Sequence, residues 1–196
     1  VKFVVDANCL ISVLYDVTGR SLALSSTLNS ESWLENLRVK LVEGFTSGIL
    51  VATKALEEEL PARSSKRDSK ERSGEKFVEK LHDKNVPFLS IGPEDAGFIE
   101  LINRLARKDF EDHQADVFLR AKDWQYIAIA KRLPAAVATL ESQGVPYHDQ
   151  KAQKIKGPVK IPYISWRLGV RAVGLYYVLQ HLDRVADTGP RGAAKI

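Results

Sequence analysis

The chain has 196 residues, 44% hydrophobic and 28% charged, with a formal net charge of +4 and a pI near 9.1. These proportions belong to a folded globular chain and exclude a disordered one, and no run approaches the roughly 18 consecutive apolar residues of a membrane span. The mild basic excess admits polyanionic partners such as nucleic acid without requiring them. A lone cysteine, Cys9, allows no internal disulfide and points to a reducing cytoplasm. The opening VKFVV is too short for the apolar region of a secretory leader. Methionine is absent, so residue 1 is expected not to be the translated start.

VKFVV is β-branched and aromatic without a helical period, and reads as a strand buried on both faces, followed by helical CLISVLYDV. SLALSSTLNSESWLENLRVKLVEGFTSG predicts a second helix. Trp33, Leu34, Leu37, Leu41 and Val42 share one of its faces, and Gly44 or Gly48 can end it. GILVAT is a strand, and Thr53 is placed to cap the helix TKALEEEL. PARSSKRDSKERSGEK, rich in serine and charge, reads as an exposed loop or solvated helix.

KFVEKLHD is a short helix before the strand VPFLSI, and PEDAGFIELINRLARKDF an amphipathic helix begun by Pro93 and acids. DVFLRAKDWQYIAIAKRL reads as one helix, PAAVATLES as a strand, and HDQKAQKIKGPVK as a basic loop. KIPYISWRLGVRAVGLYYVLQHL closes the domain as helix–strand–helix. Its Trp166, Tyr176 and Tyr177 are assigned to core packing. The alternation predicts an α/β fold, a three-layer sandwich around a mainly parallel sheet. No repeat or internal boundary appears, so residues 1–185 are expected to form one domain and 186–196 a tail.

In such a sheet, sites form outside the carboxyl ends of the strands. Asp6 directly follows VKFVV, and Glu141 follows AAVAT with one residue between. Glu57, Glu58 and Glu59 come just after GILVAT. Asp123 precedes WQYIAIAK, whose small residues suit close packing against the sheet. Carboxylates converging there repel and raise one another's pKa values, a penalty that divalent cations remove. An all-oxygen ligand set suits Mg²⁺ or Mn²⁺, and Asn8 can support a ligand carboxylate without adding charge. Taken singly, each acid has a plain structural reading. Asp6 and Asp123 can cap helices, EEEL can be a solvated face, and Glu141 can be a loop residue.

Together these blocks resemble the PIN-domain ribonucleases, in a branch close to VapC-type toxins. VVDANCLI is similar to the family's opening strand with its D-x-N signature. ILVATKALEEEL resembles its second block, where Thr53 stands six positions before Glu59. KDWQYIAIAKRLPAAVATLES resembles the third and fourth blocks through Asp123 and Glu141. The likeness spans roughly residues 3–182 and departs at Glu141, where aspartate is commoner, and at apolar Leu140 before it. Asp116 competes for the third position but stands at a poorer spacing.

The resemblance implies an endoribonuclease hydrolysing phosphodiester bonds in single-stranded RNA. Asp6, Glu59, Asp123 and Glu141 would hold one or two Mg²⁺ or Mn²⁺ ions, with Asn8 in support. It also implies an antitoxin protein as partner and self-association. Arg63, Lys66, Arg67, Lys70 and Arg72, with Lys151, Lys154 and Lys156, are candidates for RNA phosphate contacts, although such runs are more often solvated surface. His113 and His148 are read as surface residues. Two rivals stand beside this reading: a catalytically weakened PIN-like RNA-binding or protein-interaction module, and a receiver-type phosphoryl-transfer domain. The second fits less well, because neither GILVAT nor VPFLSIG ends on an aspartate. The absence of any G-x-x-x-x-G-K run excludes a P-loop enzyme.

Overall fold

A computed structural model describes residues 1–14, 30–64, 73–141 and 154–188, with the side chains at 30–34, 63–64 and 187–188 outside that description. Five short strands form one parallel sheet: β1 (Phe3–Val5), β2 (Leu50–Thr53), β3 (Phe88–Leu89), β4 (Ala136–Ala138) and β5 (Ala172–Val173). Their spatial order is β3-β2-β1-β4-β5. The chain moves outward from β1 through β2 to β3, then returns to lay β4 against the other side of β1. That reversal makes the β1–β4 gap the topological switch point, where open parallel sheets place their sites.

The centre of the sheet is wholly apolar because both its faces are covered. Phe3, Val4 and Val5 are buried, in register with Leu50 and Val51 on one side and with Ala136, Val137 and Ala138 on the other. Nine helices flank the sheet among the described residues: α1 (Ala7–Leu14), α2 (Ser30–Thr46), α3 (Lys54–Ser64), α4 (Ser73–Asp83), α5 (Ala96–Asp109), α6 (Asp112–Arg120), α7 (Asp123–Arg132), α8 (Ile161–Arg167) and α9 (Leu175–Thr188). The expected α/β three-layer arrangement is what the chain adopts. No described helix is long and apolar enough to cross a membrane.

Of the predicted α2 face, Leu37, Leu41 and Val42 are buried, joined by Phe45, while the side chains of Trp33 and Leu34 lie outside the described residues. Gly48 ends this helix: its φ of +72° is the left-handed conformation glycine tolerates without a Cβ penalty. Gly44 has a different role, since a Cβ there would stand 2.9 Å from the Leu50 side chain.

Four expectations change. The helix begun at Thr53 does not stop at EEEL but continues through Pro61 to Ser64. DVFLRAKDWQYIAIAKRL is two helices, because Ala121 turns extended (ψ 162°) and the Trp124 indole N–H donates to the Leu119 carbonyl (3.1 Å), closing the end of α6. Helix α9 runs to Thr188, past the expected tail boundary. Trp166 and Tyr176 are surface residues, 72% and 62% exposed, not core. They sit on the outward faces of α8 and α9, and Tyr177, although its ring meets Phe3 edge-on with centroids 6.1 Å apart, is exposed as well.

Thr53 is the hinge between sheet and site. It ends β2, is fully buried, and its Oγ1 accepts the Leu56 N–H (3.1 Å), capping α3 as expected. Thr53→Val should therefore cost about 1 kcal/mol through the lost cap, lowering Tm by about 2–4 °C in a thermal melt. Removing the exposed Arg104–Glu100 pair should leave Tm unchanged.

Candidate metal centre

Asp6 is fixed by both backbone and side chain. Its N–H extends the sheet by donating to the Ala138 carbonyl (3.0 Å), and its own carbonyl accepts the Cys9 N–H (3.0 Å) in the first turn of α1. Oδ1 accepts the Asn8 N–H at 3.2 Å. Oδ2 accepts from Asn8 Nδ2 at 3.3 Å and from Thr139 Oγ1 at 3.0 Å. The two sequence readings of Asp6 are thus both realised, as it caps α1 and also enters the acid group described next. Burial pushes its pKa up to about 6; the Asp123 charge adds to the rise, and the Asn8 and Thr139 hydrogen bonds oppose it.

The other two acids arrive on helix starts. Glu59 lies in the second turn of α3, half-buried and oriented by the Thr53 cap. Asp123 is the first residue of α7, with Lys122 as the N-cap, so Asp123 is not itself the cap. Carboxylate oxygens of Asp6, Glu59 and Asp123 lie within 4.8 Å of one another. Three hard oxygen donors at this spacing fit a divalent cation of the Mg²⁺ or Mn²⁺ kind. The amino ends of α1 and α7 offset part of the negative charge.

The acidic run EEEL divides by function. Glu57 pairs with Lys54 (2.6 Å) and His82 (2.8 Å), Glu58 pairs with Lys122, and Glu59 alone of the three joins the acid group. Counting six residues on from Thr53 selects the acid that does so. The third position also resolves: Asp116 lies on α6 and pairs with Arg107 (2.8 Å), away from the trio.

Glu141, expected as a fourth ligand, makes its contacts elsewhere in this structure. Its Oε1 meets Lys160 Nζ at 3.2 Å and its Oε2 accepts the Ile161 N–H at 2.7 Å, at the start of α8. Among the described residues it is not part of the acid group. The cause is local: Thr139 Oγ1 accepts the Glu141 N–H (3.1 Å), turning the chain so that the glutamate faces α8. From the T-x-E spacing it is Thr139, buried beside Asp6, that reaches the site.

The proposed RNA-contacting cations fare differently. Lys154 is paired with Asp112 (2.6 Å), and Lys156 is exposed. Lys66, Arg67, Lys70, Arg72 and Lys151 lie outside the described residues, as does the Arg63 side chain. His113 is exposed beside Glu111 and Gln114, as expected, and His148 lies outside the described residues. Two residues at the site were not singled out from the sequence. Thr139 had a signal, the polar residue at the end of an apolar strand. Tyr126, buried one turn after Asp123, had none beyond its spacing on α7. Its phenol is held well above the usual range by burial first, then by the carboxylates of Glu59 and Asp6, against an opposing pull from the Ala7 N–H.

Comparison with protein-family models, with curated proteins and with solved structures finds no match to this chain.

The Asp6 shift fixes a pH dependence in cation-free protein. With its folded value raised from 3.8 to about 6, the native state keeps a proton that the unfolded chain releases. Stability therefore falls as pH rises through about 4 to 6, by about 3 kcal/mol from this group. Asp6→Asn should be more stable than wild type at pH 7 in chelator, with the difference closing by pH 4. Denaturant titrations at both pH values check this; a difference that does not change with pH would contradict it.

Proposed function

We propose that the chain is a PIN-like, Mg²⁺- or Mn²⁺-dependent endoribonuclease that hydrolyses phosphodiester bonds in single-stranded RNA. By the same resemblance it is the toxin of a toxin–antitoxin pair, acting in the cytoplasm with an antitoxin partner and self-association. The observation that carries the reading is the convergence of Asp6, Glu59 and Asp123 at the carboxyl edge of the sheet beside the switch point. A buried carboxylate with two others beside it is costly, and a divalent cation turns that cost into binding.

In this reading Asp6, Glu59 and Asp123 hold one or two cations, while Asn8 and Thr139 fix the Asp6 carboxylate in one orientation. A bound cation supplies a water activated at neutral pH and charge neutralisation at the phosphoryl group. Glu59 and Asp123 are partly exposed, so in this reading a strand would approach the trio from their side. Lys122 and Lys160, paired with Glu58 and Glu141, form a cationic rim that can exchange those partners for backbone phosphates.

One observation favours a second reading. The engagement of Glu141 by Lys160 and α8 leaves three acids where four were expected, which suits a catalytically weakened RNA-binding or protein-interaction module. The phosphate-accepting alternative loses ground, since β2 and β3 end on Thr53 and Leu89 and not on aspartate.

Cleavage of single-stranded RNA with Mn²⁺ should fall by about 100-fold or more in Asp6→Asn and in Asp123→Asn, and should be abolished by chelation. Glu141→Gln should reduce it by less than about tenfold, as loss of a helix-end contact and not of a ligand. Cleavage untouched by the first two variants would refute the assignment, and RNA binding without cleavage under either metal would establish the second reading.

A further inference from the structure

Two tyrosines open α9 on the surface: Tyr176 is 62% exposed and Tyr177 36%. Among the described residues the Tyr176 side chain makes no ring contact and no hydrogen bond. An exposed aromatic alone is ordinary, but here the next ring holds a cation. The Arg171 guanidinium lies over the Tyr177 ring, 4.5 Å from its centroid, and Nη1 donates to the Tyr177 hydroxyl at 3.1 Å. Arg171 pairs with no carboxylate among the described residues. From Lys154 to Leu182 the chain carries five basic residues and no aspartate or glutamate.

The topology puts this surface on the same edge as the acid trio. Val173, at the end of β5, accepts the Thr139 N–H (2.9 Å), and the Thr139 hydroxyl holds Asp6. Helix α9 starts two residues after Val173. Across the carboxyl edge of the sheet therefore stand, in order, Asp6 after β1, the Lys160–Glu141 pair after β4 and Tyr176 after β5. Two strand spacings, about 10 Å, separate the ends of β1 and β5.

We propose that Tyr176, with the Arg171–Tyr177 pair, is a base-stacking subsite for single-stranded RNA lying across this edge. The proposal rests on the RNA reading of the chain and adds a place where the bases of the strand are held. A carboxylate-free basic surface with two exposed tyrosines complements a polyanion that carries planar groups, which is what a single nucleic-acid strand is. A tyrosine face accepts any base, so stacking here requires no particular sequence. The guanidinium has five N–H donors, of which the Tyr177 hydroxyl engages one, so it can receive a phosphate while its plane stays on the ring. Duplex RNA keeps its bases stacked on one another, and the subsite therefore favours unpaired strands.

The test is fluorescence anisotropy of a labelled single-stranded oligoadenylate with the whole chain in chelator, where cleavage does not interfere. Tyr176→Ala should bind about tenfold more weakly than wild type, and Tyr176→Phe should bind like wild type. Arg171→Gln should reduce the slope of log affinity against log salt by about 0.7, the value for one phosphate contact on a single strand. Trp166→Ala should bind like wild type: Trp166 is as exposed, but it lies in the last turn of α8, which packs on α5 and α7. These side chains are exposed, so each variant should keep the wild-type Tm. Wild-type affinity in Tyr176→Ala would overturn the subsite and leave the metal and RNA readings standing. Equal weakening by Tyr176→Phe or by Trp166→Ala would also overturn it. So would sedimentation showing that Tyr176→Ala turns an oligomer into a monomer at unchanged RNA affinity, which would give the surface to a second copy. If wild type neither binds nor cleaves single-stranded RNA, the RNA reading fails and the subsite with it.

Discussion

The structure depends on holding one carboxylate, that of Asp6, out of water at the end of its central strand. β1 is buried on both sides and on both faces, so whatever follows Val5 enters the interior. A charge there is tolerated because Asn8 and Thr139 donate three hydrogen bonds to it and the amino end of α1 begins beside it. Even so, burial dominates, and the carboxyl holds its proton to about pH 6. Hydrogen bonds alone do not compensate this group. A cation shared with Glu59 and Asp123 would.

The surrounding fold places those two partners with short-range devices. Thr53 ends β2 and caps α3 in the same residue, so the strand end fixes where Glu59 falls six residues later, in the second turn. The break between α6 and α7 gives Asp123 a helix start of its own, which a continuous helix would not provide. α7 can then lie close on the sheet because Ala128 and Ala130 are small and, like Ile127 and Ile129, wholly buried. The Lys122–Glu58 pair ties the start of α7 to α3 on the solvent side of the trio. The Thr139 hydroxyl joins the β1 and β4 ends across the switch point, which makes the two halves of the sheet parts of one site.

The parts that could be read in the sequence are those governed by local spacing. VKFVV followed by an acid, a threonine six residues before an acid, and an acid opening a small-residue helix each describe geometry within a few residues. Asp6, Glu59 and Asp123 were accessible for that reason. For Glu141, spacing gives the strand end but not the direction of the side chain after it, which follows from the Thr139 hydroxyl holding the Glu141 amide. The α6–α7 break was hidden because apolar residues keep a helical period through it, and only the Trp124 indole marks it. Trp166 and Tyr176 were misassigned to the core, since helix period alone does not say which aromatic faces lack a covering layer.

The central claim is that these three acids form a divalent cation site. The most direct measurement is an anomalous difference map from crystals grown with Mn²⁺. The account predicts a strong peak bounded by Asp6, Glu59 and Asp123, with Glu141 still on Lys160 and the start of α8. A map with no peak there, or with Mn²⁺ bound only at the exposed acids, would contradict it.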